Sequence, residues 1–182
     1  MKIRFKILLF CLSSLLFIGC DRITKNIAKD HLMFHAPISY LHNTVVLEYV
    51  ENTGAALSLG DQLSKPLSFW LLSILPLIFL IALFVYAIVK IRELGKLKLF
   101  AFSLIFAGGL GNIIDRLLFD RHVTDFMNVG IGSLRTGIFN VADMCVTAGV
   151  IVLLFSAYKK DTVTPSIDTD TPTPVNNYPP VE

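Results

Sequence analysis

The sequence predicts an all-α membrane protein with four transmembrane helices and a small extracytoplasmic β-sheet between helices 1 and 2. Of its 182 residues, 54% are hydrophobic and 16% are charged, whereas a soluble domain is about 45–50% apolar and about 25% charged. Four apolar runs cover about 5–23, 67–89, 97–119 and 139–158. A helix needs about 20 residues to cross a bilayer. Three runs are long enough, and the first is short unless its helix continues past Cys20.

Basic residues predict how the four helices are oriented. They precede the first run, separate the second from the third and end the fourth: Lys2, Arg4, Lys6, Lys90, Arg92, Lys96, Lys98, Lys159 and Lys160. Cytoplasmic loops carry an excess of Lys and Arg, so both termini are predicted to be cytoplasmic. The net charge is only +2, and the basic residues lie next to the predicted membrane helices. Neither feature indicates nucleic-acid binding.

The connecting segments and the tail divide the chain into one membrane domain, 1–160, and a terminal segment. The outer segment covers about 30–66. We predict a strand over 44–50 within it, because these residues are rich in β-branched and aromatic side chains. A turn follows at 52–54. Residues 161–182 are rich in Thr, Pro, Asp and Asn, and we predict a disordered cytoplasmic tail.

The N-terminus allows a second interpretation. Basic residues, an apolar stretch and Phe17-Ile-Gly-Cys20 are similar to a lipoprotein signal, in which Cys20 would become a lipidated N-terminus. A secretory signal would precede a soluble domain, whereas three more apolar runs follow here. We therefore predict an uncleaved first helix over 5–29. No disulfide pairing is evident among Cys11, Cys20 and Cys145.

Ionisable residues within or beside a membrane span are costly, and they indicate a functional site by default. Gly108, Asn112, Asp115 and Arg116 have spacings that place them on one face of the third helix. Gly108 would let another helix or a substrate approach closely, and Asp115 and Arg116 could form ion pairs. In the first helix, Asp21 and Lys25 can pair at i, i+4. Interhelical hydrogen bonding and interfacial anchoring are the alternative roles for these residues.

Two carboxylates are predicted to meet at the outer rim of the membrane. Asp143 lies about one turn inside the fourth helix, close to Asn140, and Asp125 follows the third helix. Two adjacent Asp residues cannot easily both ionise, so they share a proton. One can then act as a base toward water while the other donates a hydrogen bond to a scissile carbonyl.

Other chemistries have less support in the sequence. The four histidines, His31, His35, His42 and His122, lie in outer segments away from any motif with a nucleophile. His31 and His35 have a spacing that could bind a metal, but no third ligand is evident. We predict neither a metal nor a cofactor.

Five segments together resemble the lipoprotein signal peptidase (signal peptidase II) family. They are Asp21-Arg-Ile-Thr-Lys25, Glu51-Asn-Thr-Gly-Ala-Ala56, Gly108-Gly-Leu-Gly-Asn-Ile-Ile-Asp-Arg116, Val123-Thr-Asp-Phe126 and Phe139-Asn-Val-Ala-Asp143. They occur in family order, and the resemblance covers about residues 5–158. Each motif alone is weak, but five in order on a four-span scaffold are specific.

The resemblance implies a membrane aspartyl endopeptidase that cleaves diacylglyceryl-modified prolipoproteins just before the lipidated cysteine. It implies that Asp125 and Asp143 form the catalytic dyad. Residues implied to line or support the substrate site are Asn52, Gly54, Asn112, Arg116, Asn140, Asp21, Lys25 and Asp115. The implied location is the bacterial cytoplasmic (inner) membrane, with the site near the outer face. Prolipoproteins and membrane lipids are the implied partners, and a monomer is one possible state.

Three alternatives remain open at the level of sequence. A small transporter or proton relay would also need intramembrane carboxylates, although the acids here cluster at one rim. A non-catalytic membrane partner, or a lipoprotein with Cys20 lipidated, is the second. The third is another kind of intramembrane aspartyl protease, whose tyrosine-aspartate and glycine-x-glycine-aspartate signatures we do not find.

Overall fold

Four helices make up most of the described chain. The computed structural model describes residues 3–55, 60 and 62–158, so the predicted tail at 161–182 lies outside the described residues. The helices are α1 (Ile3–Leu32), α2 (Lys65–Val89), α3 (Lys96–Leu118) and α4 (Val141–Tyr158). They correspond to the four apolar runs of the sequence.

Three of the four helices have the length of a membrane span, and the helices expose apolar surface. Within the described residues, α1, α2 and α3 are long and apolar enough to cross a membrane, and α4 is a shorter apolar helix. The first apolar run is only the start of α1, which continues beyond Cys20 to Leu32. Large apolar side chains such as Leu15, Leu16 and Phe79 are exposed, as expected for surfaces that contact lipid.

Pro76 is accommodated in α2 by a π-helical turn over Trp70–Ile74. Proline lacks a backbone N–H, and its ring collides with the carbonyl group four residues earlier in a regular helix. The wider turn is closed by the N–H of Leu75, which donates to the Trp70 carbonyl. A π-helical turn is a common way to absorb such an irregularity, so α2 continues through the proline.

A four-stranded antiparallel sheet covers one end of the helices. Its strands are β1 (Ile38–Tyr40), β2 (Val45–Asn52), β3 (Val123–Ile131) and β4 (Leu134–Arg135), in the order β1-β2-β3-β4. The prediction of a sheet between helices 1 and 2 was incomplete, because β3 and β4 come from the α3–α4 connector. Strand β2 overlaps the predicted strand at 44–50.

A β-bulge explains why β3 escaped prediction. The N–H groups of Phe126 and Met127 both donate to the Phe139 carbonyl, at 3.1 and 2.9 Å. Two consecutive residues that oppose one partner interrupt the alternation of side chains. Consequently Phe126 and Met127 both pack in one apolar cluster with Ala28 of α1. Period-two alternation, which is the usual signature of a strand, is therefore absent here.

The opposite end of the helices is held by Lys6 near the start of α1. Its ammonium group donates to the carbonyls of Ile91, Arg92 and Leu94 at 2.9, 3.0 and 2.7 Å. These carbonyls lie in the α2–α3 connector, where helix ends leave carbonyl groups without intrahelical partners. The start of α1 and the α2–α3 connector therefore lie together, away from the sheet.

Candidate active site

Asp143 lies in the first turn of α4, where its position is fixed by the helix cap. The N–H of Asp143 donates to Oδ1 of Asn140 at 3.0 Å, and the N–H of Asn140 donates to Oδ2 of Asp143 at 3.1 Å. This reciprocal pair is a capping box, which satisfies N–H groups that would otherwise lack partners. The other oxygen, Oδ1, accepts a hydrogen bond from Asn112 of α3 at 2.8 Å.

Asp125 comes from the sheet and is almost fully buried, with 3% of its surface exposed. Its Oδ1 accepts a hydrogen bond from the side-chain amide of Asn140 at 2.6 Å. Its Oδ2 accepts one from the side-chain amide of Asn52, at the end of β2, at 2.9 Å. The carboxylate therefore belongs to the sheet side of the site, and each of its oxygens accepts a hydrogen bond from a side-chain amide.

Asn140 is the residue that connects the two aspartates. Its side-chain amide donates to Asp125, while its backbone N–H donates to Asp143. The same amide contacts the side-chain oxygen of Asn112 at 3.1 Å and the Thr124 carbonyl at 3.3 Å. The predicted pair is therefore brought together around one fully buried asparagine.

The environment of Asp125 makes its carboxyl group easier to protonate than a carboxyl group in water. Burial raises the pKa of Asp125 from 3.8 to about 6, and the nearby charge of Asp143 also raises it. Hydrogen bonds from Asn52 and Asn140 and the charge of Lys25 act in the opposite direction. Desolvation penalises the charged form of a carboxyl group, so burial outweighs the stabilising contacts.

A buried ionic cluster supports the site from α1 and α3. Lys25 contacts Asp21 at 2.9 Å and Asp115 at 2.8 Å, and Arg22 contacts Asp115 at 2.6 Å. The prediction that Asp21 and Lys25 pair is confirmed. Asp115 pairs with Arg22 and Lys25 of α1. The sequence predicted that Asp115 could form ion pairs but did not identify these partners, because they lie on another helix.

The ionic cluster reaches the dyad through two hydrogen bonds. Lys25 donates to the side-chain oxygen of Asn112 at 3.0 Å, which turns the Asn112 amide toward Asp143. Asp21 accepts a hydrogen bond from the N–H of Ala142 at 2.9 Å. A carboxylate at a helix N-terminus is stabilised by the unpaired N–H groups and the helix dipole. Lys25 and Asp21 therefore fix both Asn112 and the start of α4.

Arg116 and Gly54 form a second support on the sheet side. Gly54 donates its N–H to the side-chain oxygen of Asn52 at 2.9 Å, as in an Asx turn. Arg116 donates to the Gly54 carbonyl at 2.8 Å. The contact of Arg116 fastens the turn after β2 to α3. Because the turn uses only the side-chain oxygen of Asn52, the side-chain nitrogen can donate to Asp125.

Gly108 serves helix packing in this structure. A methyl group added at Gly108 would collide with the Ala142 carbonyl of α4, and one added at Gly111 would come within 2.7 Å of an Asp21 oxygen. Of the two roles predicted for Gly108, the structure assigns the close approach of a neighbouring helix. The short distance between α3 and α4 allows Asn112 to reach Asp143.

A cavity of about 330 Å³ opens beside Asp125 on the sheet side. Its lining consists of Glu48, Val50, Asn52, Asp125, Asn128, Gly137 and Ile138. Sequence reasoning identified only Asn52 and Asp125 as site residues. Asn128 was missed because the β3 bulge puts it on the same face as Asp125. Glu48 carried a signal that could have identified it, since it is the charged residue on one face of the predicted strand.

The arrangement of apolar helices beneath a small sheet is shared with solved bacterial membrane enzymes. Two solved structures, each described as a bacterial membrane enzyme structure by the in meso method, at 2.3 and 1.9 Å resolution, have this fold. Their TM-scores are 0.72 and 0.68, with 31% and 33% sequence identity. The likeness covers 84% of this chain in both cases, and 89% and 94% of those chains.

The chain belongs to the signal peptidase II family of proteases. The family model described as "Signal peptidase (SPase) II" matches residues 13–159. A lipoprotein signal peptidase of Francisella tularensis subsp. novicida is 36% identical over 143 residues, 78% of this chain and 86% of that protein. One from Desulforapulum autotrophicum is 32% identical over 146 residues, 80% and 88% respectively. The family match starts upstream of Cys20 and includes residues that the lipoprotein interpretation would remove.

Proposed function

We propose that this protein is an aspartyl endopeptidase that removes signal peptides from diacylglyceryl-modified prolipoproteins, cleaving just before the lipidated cysteine. The observation that carries the proposal is the arrangement of Asp125 and Asp143 around Asn140, with contacts of 2.6 and 3.1 Å. Membership of the signal peptidase II family supports the cleavage of lipoprotein signal peptides. The two carboxyl groups could activate a water molecule and donate a hydrogen bond to the scissile carbonyl, which is the chemistry that this cleavage needs.

The mechanism requires one proton shared by Asp125 and Asp143. The ionised carboxylate takes a proton from a water molecule as the water oxygen attacks the carbonyl carbon before the cysteine. The protonated carboxyl donates to the carbonyl oxygen, and a tetrahedral intermediate forms. When the C–N bond breaks, a proton passes from the dyad to the departing nitrogen. The products are a signal peptide with a carboxyl end and a cysteine with a free amino group.

Asparagines hold the two carboxyl groups ready for this exchange. Asn52 and Asn140 donate to Asp125, and Asn112 donates to Asp143. Preorganised donors lower the cost of charge movement because they need not reorient during the reaction. In this proposal the dyad residues act on the substrate directly, and the three amides position them.

The proposed site lies near the outer face of the bacterial inner membrane, with both termini in the cytoplasm. The contact between Lys6 and the α2–α3 connector supports this orientation, because it puts two of the basic segments at one end. The sheet and the dyad lie at the other end. A diacylglyceryl group holds its cysteine at the membrane interface, which matches the depth of a site between helix ends and a surface sheet.

The test is cleavage of a diacylglyceryl-modified prolipoprotein by purified protein in detergent, beside the unmodified form. The wild type should cleave only the lipidated substrate. Asp125→Asn and Asp143→Asn should each lose at least about 10³-fold in kcat while remaining folded. Asp120→Asn is the matched control, because Asp120 is exposed and its 3.7 Å ion pair is with the equally exposed Lys65. Its activity should equal that of the wild type.

Two outcomes would overturn the proposal at different levels. If both dyad variants keep near-wild-type activity, the dyad is wrong, and Asp21 and Asp115 become the next candidates. If the wild type cleaves neither substrate, the peptidase function itself is wrong.

A further inference from the structure

The cavity beside Asp125 contains a second carboxylate, that of Glu48. Glu48 is half-buried on β2, and its carboxylate has no hydrogen bond or ion pair with another described residue. The described residues that line the cavity include the acids Glu48 and Asp125 and no cation. Arg135 lies close by, but it donates to Asn128 and to the Asn43 carbonyl and is not part of the lining.

The alternation of side chains along β2 turns Glu48 toward the cavity. Leu47, the residue before it, packs in the apolar cluster under the sheet. Tyr49 points away, packs against the apolar cluster under the sheet and donates to Glu51 at 2.9 Å. Glu48 is left on the face that Val50 and Asn52 share with the cavity.

The position of Glu48 determines which part of a substrate it can meet. Asp125 pairs with Val50, and Glu48 lies two residues further along β2, about 7 Å at the usual rise per residue. The signal helix of a substrate must lie in the membrane, beside the helices. Because Glu48 and Asp125 line the same cavity, we expect the chain that follows the scissile bond to lead out over the sheet past Glu48.

We propose that Glu48 is a specificity-determining residue that favours basic over acidic side chains at the first one or two positions after the lipidated cysteine. An acidic side chain there would meet like charge in a partly water-excluded cavity, whereas a basic one would form an ion pair. This inference rests on the proposed function, because it names the substrate feature that the same site recognises.

The experiment uses two diacylglyceryl-modified prolipoproteins that differ only in Lys or Glu at the position after the cysteine. The ratio of kcat/KM for the Lys substrate to that for the Glu substrate is measured at low salt. The wild type should prefer Lys by about two- to fivefold, the range that a partly exposed ion pair supplies. Glu48→Gln should bring the ratio close to one, and Glu48→Lys should invert it. The wild-type preference should shrink at high salt.

Glu51→Gln is the matched control, because it removes the same charge from the same strand on the opposite face. Its Lys-to-Glu ratio should equal that of the wild type, whatever its total activity. A Glu48→Gln enzyme that cleaves both substrates with the wild-type ratio would overturn the inference and leave the peptidase proposal intact. A wild type that cleaves neither lipidated substrate would overturn both.

Discussion

The side-chain amide of Asn140 donates to Asp125 at 2.6 Å while the same residue caps the helix that carries Asp143. The helix cap and the contact with the proposed catalytic residue Asp125 therefore use different atoms of one side chain. The cap uses the side-chain oxygen, whereas the contact with Asp125 uses the nitrogen. Substitutions that keep one function and remove the other can separate them.

Asn140→Ser should keep the helix cap and lose the contact with Asp125. Serine is a good N-cap residue, whereas alanine costs about 0.5–2 kcal/mol at such a position. We expect Asn140→Ser to unfold close to the wild-type temperature but to lose about 10²-fold or more in kcat. Asn140→Ala should lose both activity and stability. Thermal unfolding in detergent and kcat on a lipidated prolipoprotein measure the two effects, and full activity in Asn140→Ser would contradict the assigned role.

The pH dependence of kcat/KM should show a limb that falls as pH rises above about 6. Burial raises the pKa of Asp125 from 3.8 to about 6, and the proposed mechanism needs one proton on the pair. That proton is present below the raised pKa and is lost above it. kcat/KM reports the ionisation of the free enzyme.

Asn52→Ala should move this limb to higher pH. The hydrogen bond from Asn52 lowers the pKa of Asp125, so its removal should raise that pKa further. A limb that moves to lower pH, or a profile without an alkaline limb in either enzyme, would contradict the assignment of the proton to the dyad.

Lys25→Met should be strongly destabilising. The ammonium group of Lys25 neutralises Asp21 and Asp115, and all three side chains are at most 2% exposed. Removing one partner from a buried ionic group leaves an uncompensated charge, at a cost of about 3–5 kcal/mol. Lys29→Met is the control one turn away on α1, because Lys29 is exposed, and it should change the unfolding free energy by no more than about 0.5 kcal/mol. Equal unfolding temperatures for the two variants would refute the structural role of the cluster.

Gly108→Ala should destabilise the contact between α3 and α4. The new methyl group would collide with the backbone carbonyl of Ala142, and overpacking of this kind costs about 1–3 kcal/mol. Gly19→Ala adds the same group to α1, where no described atom outside the adjoining turns of the helix lies within 4 Å. That control should be neutral or stabilise by up to about 1 kcal/mol, because alanine is the better helix former. Thermal unfolding of the two variants compares them directly.

The helices could be predicted from sequence because a bilayer restricts what can cross it. A spanning segment must satisfy its own backbone and present apolar side chains, so composition alone located all four helices. The end of α1 was harder to place. Its last turns carry Asp21 and Lys25, whose charges are tolerated only because α3 supplies Asn112 and Asp115 across the interface.

The sequence points to the two aspartates of the candidate site but not to the contacts that join them or to most of the cavity lining. The cost of carboxylates at a membrane rim, together with the family resemblance, pointed to Asp125 and Asp143. Asn140 joins the two aspartates because β3 packs against the start of α4. This is a contact between distant parts of the chain, and no local sequence pattern indicates it. The bulge in β3 removed the alternation that would have revealed the strand.

The segment Phe17-Ile-Gly-Cys20 gives the protein a sequence of the kind that its family removes from other chains. In α1 this segment lies within an unbroken helix, and the next residue, Asp21, is tied to the start of α4 through the Ala142 N–H. A peptide bond must be presented outside a helix before water can attack its carbonyl carbon. If the chain is the peptidase proposed above, these tertiary contacts would protect the bond before Cys20 from self-cleavage, because a substrate must unwind at its cysteine and α1 is held helical there.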